Sequence, residues 1–239
     1  MTSQHIVSSF DRDLEALQAM IMKMGGQVEM ATTNAIKALE TRDLELSQQV
    51  RRDDKIVDGL DEEIKADAAR VLALRAPTAG DLRTVLSVMT ISSHLERSGD
   101  YAKNIAKRTT VLIDMTPING TVPALRRMAR MVERMLADSL DAYIQRDADK
   151  AEDVRERDLE VDQMYNTLFR SLLTHMMEDP RNITACMHLH FIAKNIERMG
   201  DHATSIAEQT IYLVTGEMPD EDRPKGDTTA YGAPDGEAK

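Results

Sequence analysis

One short block of this chain occurs twice. Glu96-Arg97-Ser98-Gly99-Asp100 returns as Glu197-Arg198-Met199-Gly200-Asp201, at a comparable place in each half of the 239 residues. Around both copies the same succession of apolar stripes unfolds, with a period of roughly a hundred residues, which restricts the fold to two similar units in tandem. In the first unit Leu14, Leu17, Ile21, Met24 and Val28 recur in steps of three and four, as do Val50, Val57, Leu60 and Ile64 after Asp43, and then Val85, Met89, Ser92, Leu95 and Gly99. That spacing is the buried stripe of an amphipathic helix. Ala76-Pro77 separates the second helix from the third, because the residue before proline is pushed out of the helical region. Gly25-Gly26 is expected to weaken the first helix midway without ending it.

A linker over Asp114–Gly120 precedes the second round. It comprises a helix from about Pro123 to Gln145, one from about Asp147, and a last one after Asp179-Pro180 that carries Ile183, Cys186, Ala193, Ile196, Gly200 and Ala203. The predicted fold class is therefore all-α, two tandem pseudo-repeated three-helix bundles. The expected bounds are 1–116 and 117–216, followed by a polar tail, 217–239, expected to be disordered because it carries almost nothing apolar. Composition agrees: there is no Trp, 3% of residues are aromatic, Met is abundant and Gly and Pro are few.

The doubled block sets two carboxylates four residues apart on one helix face, where like charges repel unless a cation lies between them. Asp54/Asp58 and Asp158/Asp162 repeat that spacing on the preceding helix. Antiparallel neighbours joined by a tight break pair residues equidistant from it. Asp58 and Glu96 are equally far from Pro77, as are Asp54 and Asp100, and around Pro180 the match is within one residue. The phase matches too, since Asp58, Glu96, Asp100, Asp162, Glu197 and Asp201 each follow an apolar stripe position. Gly99 and Gly200 would leave room for the helices to approach. The eight acids are read as two candidate cation sites on the shoulder of the core seam: Asp54, Asp58, Glu96 and Asp100 in one, Asp158, Asp162, Glu197 and Asp201 in the other. A solvated acidic face partly neutralised by Arg51, Arg97, Arg155 and Arg198 is the plain alternative. All-oxygen ligation suits Mg, Ca, Mn or ferric iron and argues only weakly for zinc.

Other signals bound the function. At a net charge of −11, with no local basic stripe evident, nucleic acid is not an expected partner. No long uncharged apolar run or N-terminal leader is seen, so a cytoplasmic chain is expected that reaches a membrane only through partners. Cys186 lies on an apolar stripe and reads as a small buried hydrophobe. His188 and His190 point to different sides of their helix, and His190 is expected to pack or cap. With no Glu-x-x-His, no glycine-rich phosphate loop and no nucleophile with an evident base, catalysis is not expected. The rival is a carboxylate-bridged metalloenzyme of a helical bundle.

From Phe10 to about Gly216 the chain closely resembles the PhoU family. The carriers are Ala76-Pro77-Thr78-Ala79-Gly80-Asp81-Leu82-Arg83 and the doubled Glu-Arg-x-Gly-Asp, with Tyr101-Ala102-Lys103-Asn104-Ile105-Ala106 and His202-Ala203-Thr204-Ser205-Ile206-Ala207 behind the two copies. The resemblance implies a non-enzymatic, homodimeric regulator of phosphate uptake. It would link the importer's PstB-type ATPase to a PhoR-type histidine kinase and suppress the phosphate-starvation response when phosphate is plentiful. It also implies metal, iron or zinc, on (Glu/Asp)-x-x-x-Asp motifs, matched residue by residue at Glu96/Asp100 and Glu197/Asp201. Ser205 stands where the first half has Asn104, so the two sites are expected to differ in affinity.

Overall fold

The computed structural model of the protein describes residues 2–75, 77 and 79–219, so most of the expected polar tail lies outside the described residues. Six helices account for nearly all of them: α1 (Thr2–Thr41), α2 (Leu44–Arg75), α3 (Ala79–Leu112), α4 (Thr121–Gln145), α5 (Ala148–Glu178) and α6 (Ile183–Thr215), with one 3-10 turn at Pro180–Asn182 ahead of α6. No strand occurs among the described residues.

The repeat extends to the joints between helices. Arg42 and Arg146, each the residue after the first helix of its half, adopt the left-handed conformation with φ of 56° and 52°. The next residue then caps the following helix, Asp43 accepting from the Leu46 N–H at 2.9 Å and Asp147 from the Lys150 N–H at 3.0 Å. Left-handed backbone is unfavourable for a residue with a Cβ. At Arg42 the side chain compensates by donating to the carbonyls of Leu112, at 2.9 Å, and Met115.

Within each half the three helices pack on one another, and the halves meet along two seams, α3 against α6 and α1 against α4. Both seams are antiparallel. Along the first, Arg83 lies over the Tyr212 ring and Arg108 over the Phe191 ring. Along the second, Arg126 pairs with Glu40 at 3.1 Å, and Gly25 faces Leu140. A Cβ on Gly25 would come within 2.3 Å of the Leu140 side chain. The expected weak point in α1 is thus an uninterrupted helix whose glycine lets α4 approach. Leu17, Ile21, Ile64, Ile91 and Leu95 in the first half join Leu125, Met135, Leu140 and Leu172 in the second in one continuous buried cluster. Among the described residues α2 touches only α1 and α3, and α5 only α4, α6 and the 3-10 turn, so these two are outer helices.

One sequence reading needs correction. A local basic stripe does exist: Arg127, Arg130 and Arg134 stand on the exposed side of α4, and Arg157 of α5 lines the same groove. Net charge averages over the chain, whereas helical spacing gathers these four on one surface. Among the described residues no helix is long and apolar enough to cross a membrane.

Candidate metal centre

The acids gather where the two outer helices meet α3 and α6. In the first half Gly99 brings α3 against α2, since a Cβ there would touch Val57 at 3.1 Å. This close approach sets Asp54 and Asp58 beside Glu96 and Asp100. Asp54 is buried, and the other three are half-buried. Burial raises the Asp54 pKa; the hydrogen bond and charge of Lys103 oppose the rise, while Asp58 and Asp100 add to it. Glu96 is raised as well, by burial and then by Asp100, with smaller contributions from Asp61 and Asp58. The four acids therefore share one electrostatic site, as their spacing predicts.

A cation already stands in it. Lys103 Nζ donates to Asp100 at 2.6 Å and to Asp54. Burial alone would lower the pKa of this ammonium, but the two carboxylates outweigh it and push it up. Of the arginines expected to neutralise the acids, Arg97 does so in part, and the closest cations are lysines. Arg97 reaches Glu96 and Asp100 only at 3.7 and 3.8 Å, Arg51 is exposed, Arg155 bonds Glu152 and Glu208, and Arg198 lies over the Tyr101 ring. Lysine three residues from an acid is a legible spacing that sequence reasoning passed over. It also passed over Asp61, a buried acid one turn beyond Asp58 that accepts from Ser92 at 2.6 Å and Lys65 at 2.7 Å.

The second site is deeper. Asp158, Asp162 and Glu197 are all buried, exposing 2%, 4% and 5% of their surface, so they lie inside the seam rather than on its shoulder. At Gly200 the helices nearly touch, an added Cβ being 3.3 Å from an Asp158 oxygen. Glu197 accepts from Lys194 at 2.8 Å through one oxygen, and its other oxygen, Oε2, is buried with no hydrogen-bond partner. Burial, reinforced by Asp201 and Asp162 and opposed by Lys194, raises the Glu197 pKa to about 7. Lysine enters the two sites from opposite ends of the repeated block: Lys103 follows Asp100 by three residues, and Lys194 precedes Glu197 by three. The corresponding positions in the other half are Thr204 and Ser93.

The residues fit a hard cation in chemistry, with only carboxylate oxygens converging and one buried oxygen left unsatisfied. They do not form a closed cage as they stand. Among the described residues no three Asp, Glu, His or Cys side chains close on one point as metal ligands would. A metal would take the place of the ammonium groups, which now occupy part of that role.

The histidines lie elsewhere. His94 and His202 meet at the α3/α6 seam with their Nδ1 atoms 2.9 Å apart, and His202 stacks on Tyr101. Burial, then the neighbouring His94, holds His202 at about 4, so it is neutral near pH 7. This pair joins two distant segments and has no local signal in the sequence. His190 packs among the rings of Tyr165, Phe169 and Phe191, in keeping with a packing role. Cys186 is buried, and burial pushes its thiol pKa up.

The family model of the PhoU domain matches twice, over residues 21–109 and 125–210, and takes in all eight acids. The chain belongs to the PhoU family. PhoU relatives cover almost its whole length. The phosphate-specific transport system accessory protein PhoU homolog of Zymomonas mobilis is 50% identical over 92% of this chain and 93% of its own. That of Rhizobium meliloti is 44% identical over 96% and 97%. Among solved structures, PhoU from Pseudomonas aeruginosa superposes with a TM-score of 0.84 at 38% identity, covering 87% of this chain and all of that one. The phosphate transport system regulatory protein PhoU from Streptococcus pneumoniae gives 0.82 at 31% identity over 88% and 99%.

Proposed function

We propose that this chain is an accessory regulator of phosphate transport that holds metal on its two carboxylate clusters. The observation carrying the reading is that the PhoU model matches each half separately, and that relatives spanning nearly the whole chain are named as accessory proteins of phosphate-specific transport. In this reading the chain works in the cytoplasm as a homodimer. It docks the importer's PstB-type ATPase and a PhoR-type histidine kinase, and it keeps the starvation response off while phosphate is abundant.

Two features support an adaptor. The ends of the bundles beside the α2–α3 and α5–α6 turns expose apolar side chains, Leu74, Leu82 and Leu86 on one and Leu173, Met177 and Ile183 on the other, of the kind that partner proteins cover. Four of the acids sit on the outer helices α2 and α5 and face the other four on α3 and α6, and their mutual repulsion makes the α2/α3 and α5/α6 packing respond to a cation. Asp54, Asp58, Glu96 and Asp100 would hold one metal group and Asp158, Asp162, Glu197 and Asp201 the other. Iron or zinc is favoured by the family resemblance, and Mg, Mn or Ca by the donor set. A bound metal would supply positive charge that ties the helices together, with no reaction required of it.

The test is genetic and biochemical together. Deleting the gene should switch on a phosphate-starvation reporter in phosphate-rich medium, and the tagged chain should co-purify with the ATPase and the kinase. Normal repression in the deletion strain would refute the regulatory role. Metal analysis of chain purified without chelator should show two loaded sites, one of them emptied in the Asp58→Asn/Glu96→Gln/Asp100→Asn variant. Equal metal in variant and parent would refute the site assignment.

A further inference from the structure

A groove between α4 and α5 has two unlike ends. One, of about 520 Å³, is lined by Arg127, Arg130 and Arg134 of α4 and Arg157 of α5. The other, of about 650 Å³, has Met128, Met164 and Leu168 among its apolar lining and Asn119, Gln163 and Thr167 among its polar lining. Arg127 and Glu160 line both, so the two ends are continuous. We propose that this groove binds a nucleoside polyphosphate, with the phosphates on the four arginines, the ribose hydroxyls donating to Glu160 at the junction, and the base among the methionines and side-chain amides.

Each part of the groove meets a part of such a ligand. Guanidinium forks match phosphate oxygens in pairs, and Arg127 to Arg134 spans about 10 Å of helix, room for a chain of phosphates. All three α4 arginines are exposed, with the charge of Arg130 acting also on the nearby Glu133 carboxyl. Arg157 is held in place by Asp138 at 2.8 Å. Polarisable methionine side chains accommodate a flat ring, and the neighbouring amides and hydroxyl can bond its edge. A volume of several hundred Å³ is the size of a small-molecule site.

The repeat supplies an internal comparison. At the corresponding positions of the first half stand Lys23, Gly26, Met30 and Asp53, with Ile56 in place of Glu160. Its helices pack in the same way without them, so the fold does not require the arginines. Gathering four cations in a chain of net charge −11 points to a ligand that repays their repulsion.

The inference is independent of the phosphate-regulator reading and is tested on purified full-length chain. Titration calorimetry would use ATP, GTP, inorganic triphosphate and adenosine, with magnesium in slight excess so that the nucleotides do not strip cations from the acid clusters. ATP or GTP should bind saturably and about tenfold or more tighter than triphosphate, with adenosine weaker still. Arg130→Glu/Arg134→Glu, shown to be folded by circular dichroism, should abolish nucleotide binding. Gln163→Ala/Thr167→Ala should bring the nucleotide down to the affinity of triphosphate and leave triphosphate unchanged. Absence of saturable binding at millimolar nucleotide would overturn the proposal, as would nucleotide binding untouched by the arginine changes. Equal affinity for nucleotide and triphosphate would overturn it too, because the arginines would then be a general anionic docking face for an acidic protein or nucleic acid.

Discussion

Glu197 offers a sharp test of the buried acid cluster. Its carboxyl is raised from an ordinary 4.5 to about 7, chiefly by burial. Because the folded protein holds this proton more tightly than the unfolded chain does, the stabilisation from the protonated form is fully present below about pH 4.5. It is lost as pH rises towards 7, and above that the folded state carries a buried charge. The gap corresponds to about 3 kcal/mol at pH 8. Glu197→Gln keeps the shape and the acceptor facing Lys194 while removing the charge. In metal-stripped protein at pH 8 it should therefore stabilise by up to about 3 kcal/mol, or about 6–12 °C in melting temperature for a chain of this size. Urea unfolding of parent and variant from pH 4 to 8 gives a difference curve in which other groups cancel. The curve should start near zero, climb between pH 4.5 and 7, and then level off. A flat difference curve, or a variant less stable than the parent at pH 8, would refute the reasoning. Saturating metal should shrink the advantage, since a bound cation relieves the same charge in the parent.

Lys103→Met should leave Asp54 buried beside Asp100 without its ammonium, costing metal-free protein about 2–3 kcal/mol by denaturant unfolding, and should tighten metal binding in the first site because the two cations compete for Asp54 and Asp100. Unchanged metal affinity would show that Lys103 does not occupy the metal's place. Gly25→Ala should destabilise by about 1–3 kcal/mol, because the new Cβ meets a fully buried Leu140 with nowhere to go; a neutral or stabilising result would mean that the α1/α4 seam is looser than described. Asp43→Ala and Asp147→Ala should each cost about 1 kcal/mol of cap, and clearly unequal losses would argue against equivalent helix starts in the two halves.

The helices were legible because each carries a period-three-and-four stripe and a stop at Ala76-Pro77, Asp179-Pro180 or the loop after Leu112. The level and phase of the acids were legible for the same reason, since both follow from helix geometry and a short antiparallel turn. What fills the sites was not. Arginines adjoining the acids in sequence were expected to balance them, and Arg97 does in part, but the closer partners are lysines one turn away, where a helix brings side chains onto one face. The His94/His202 contact depends on how two halves dock, which no stripe within either half specifies. The arginine stripe of α4 was readable at i, i+3 and i+7, and was masked by the acidity of the chain as a whole.

The antiparallel crossing of α3 and α6, repeated by α1 and α4, is the arrangement that two identical subunits related by a dyad would adopt. A single three-helix half, cut free, would expose the faces of α1 and α3 that now meet the other half, and the economical way to cover them is a second copy of itself. Joining the two copies in one chain removed the demand that they be identical. Each side could then change alone: lysine at opposite ends of the acidic block, tyrosine opposite histidine on the shared seam, and arginines on α4 with no counterpart on α1. In a true dimer every such change would have appeared twice, and its effects on the interface would have been doubled with it.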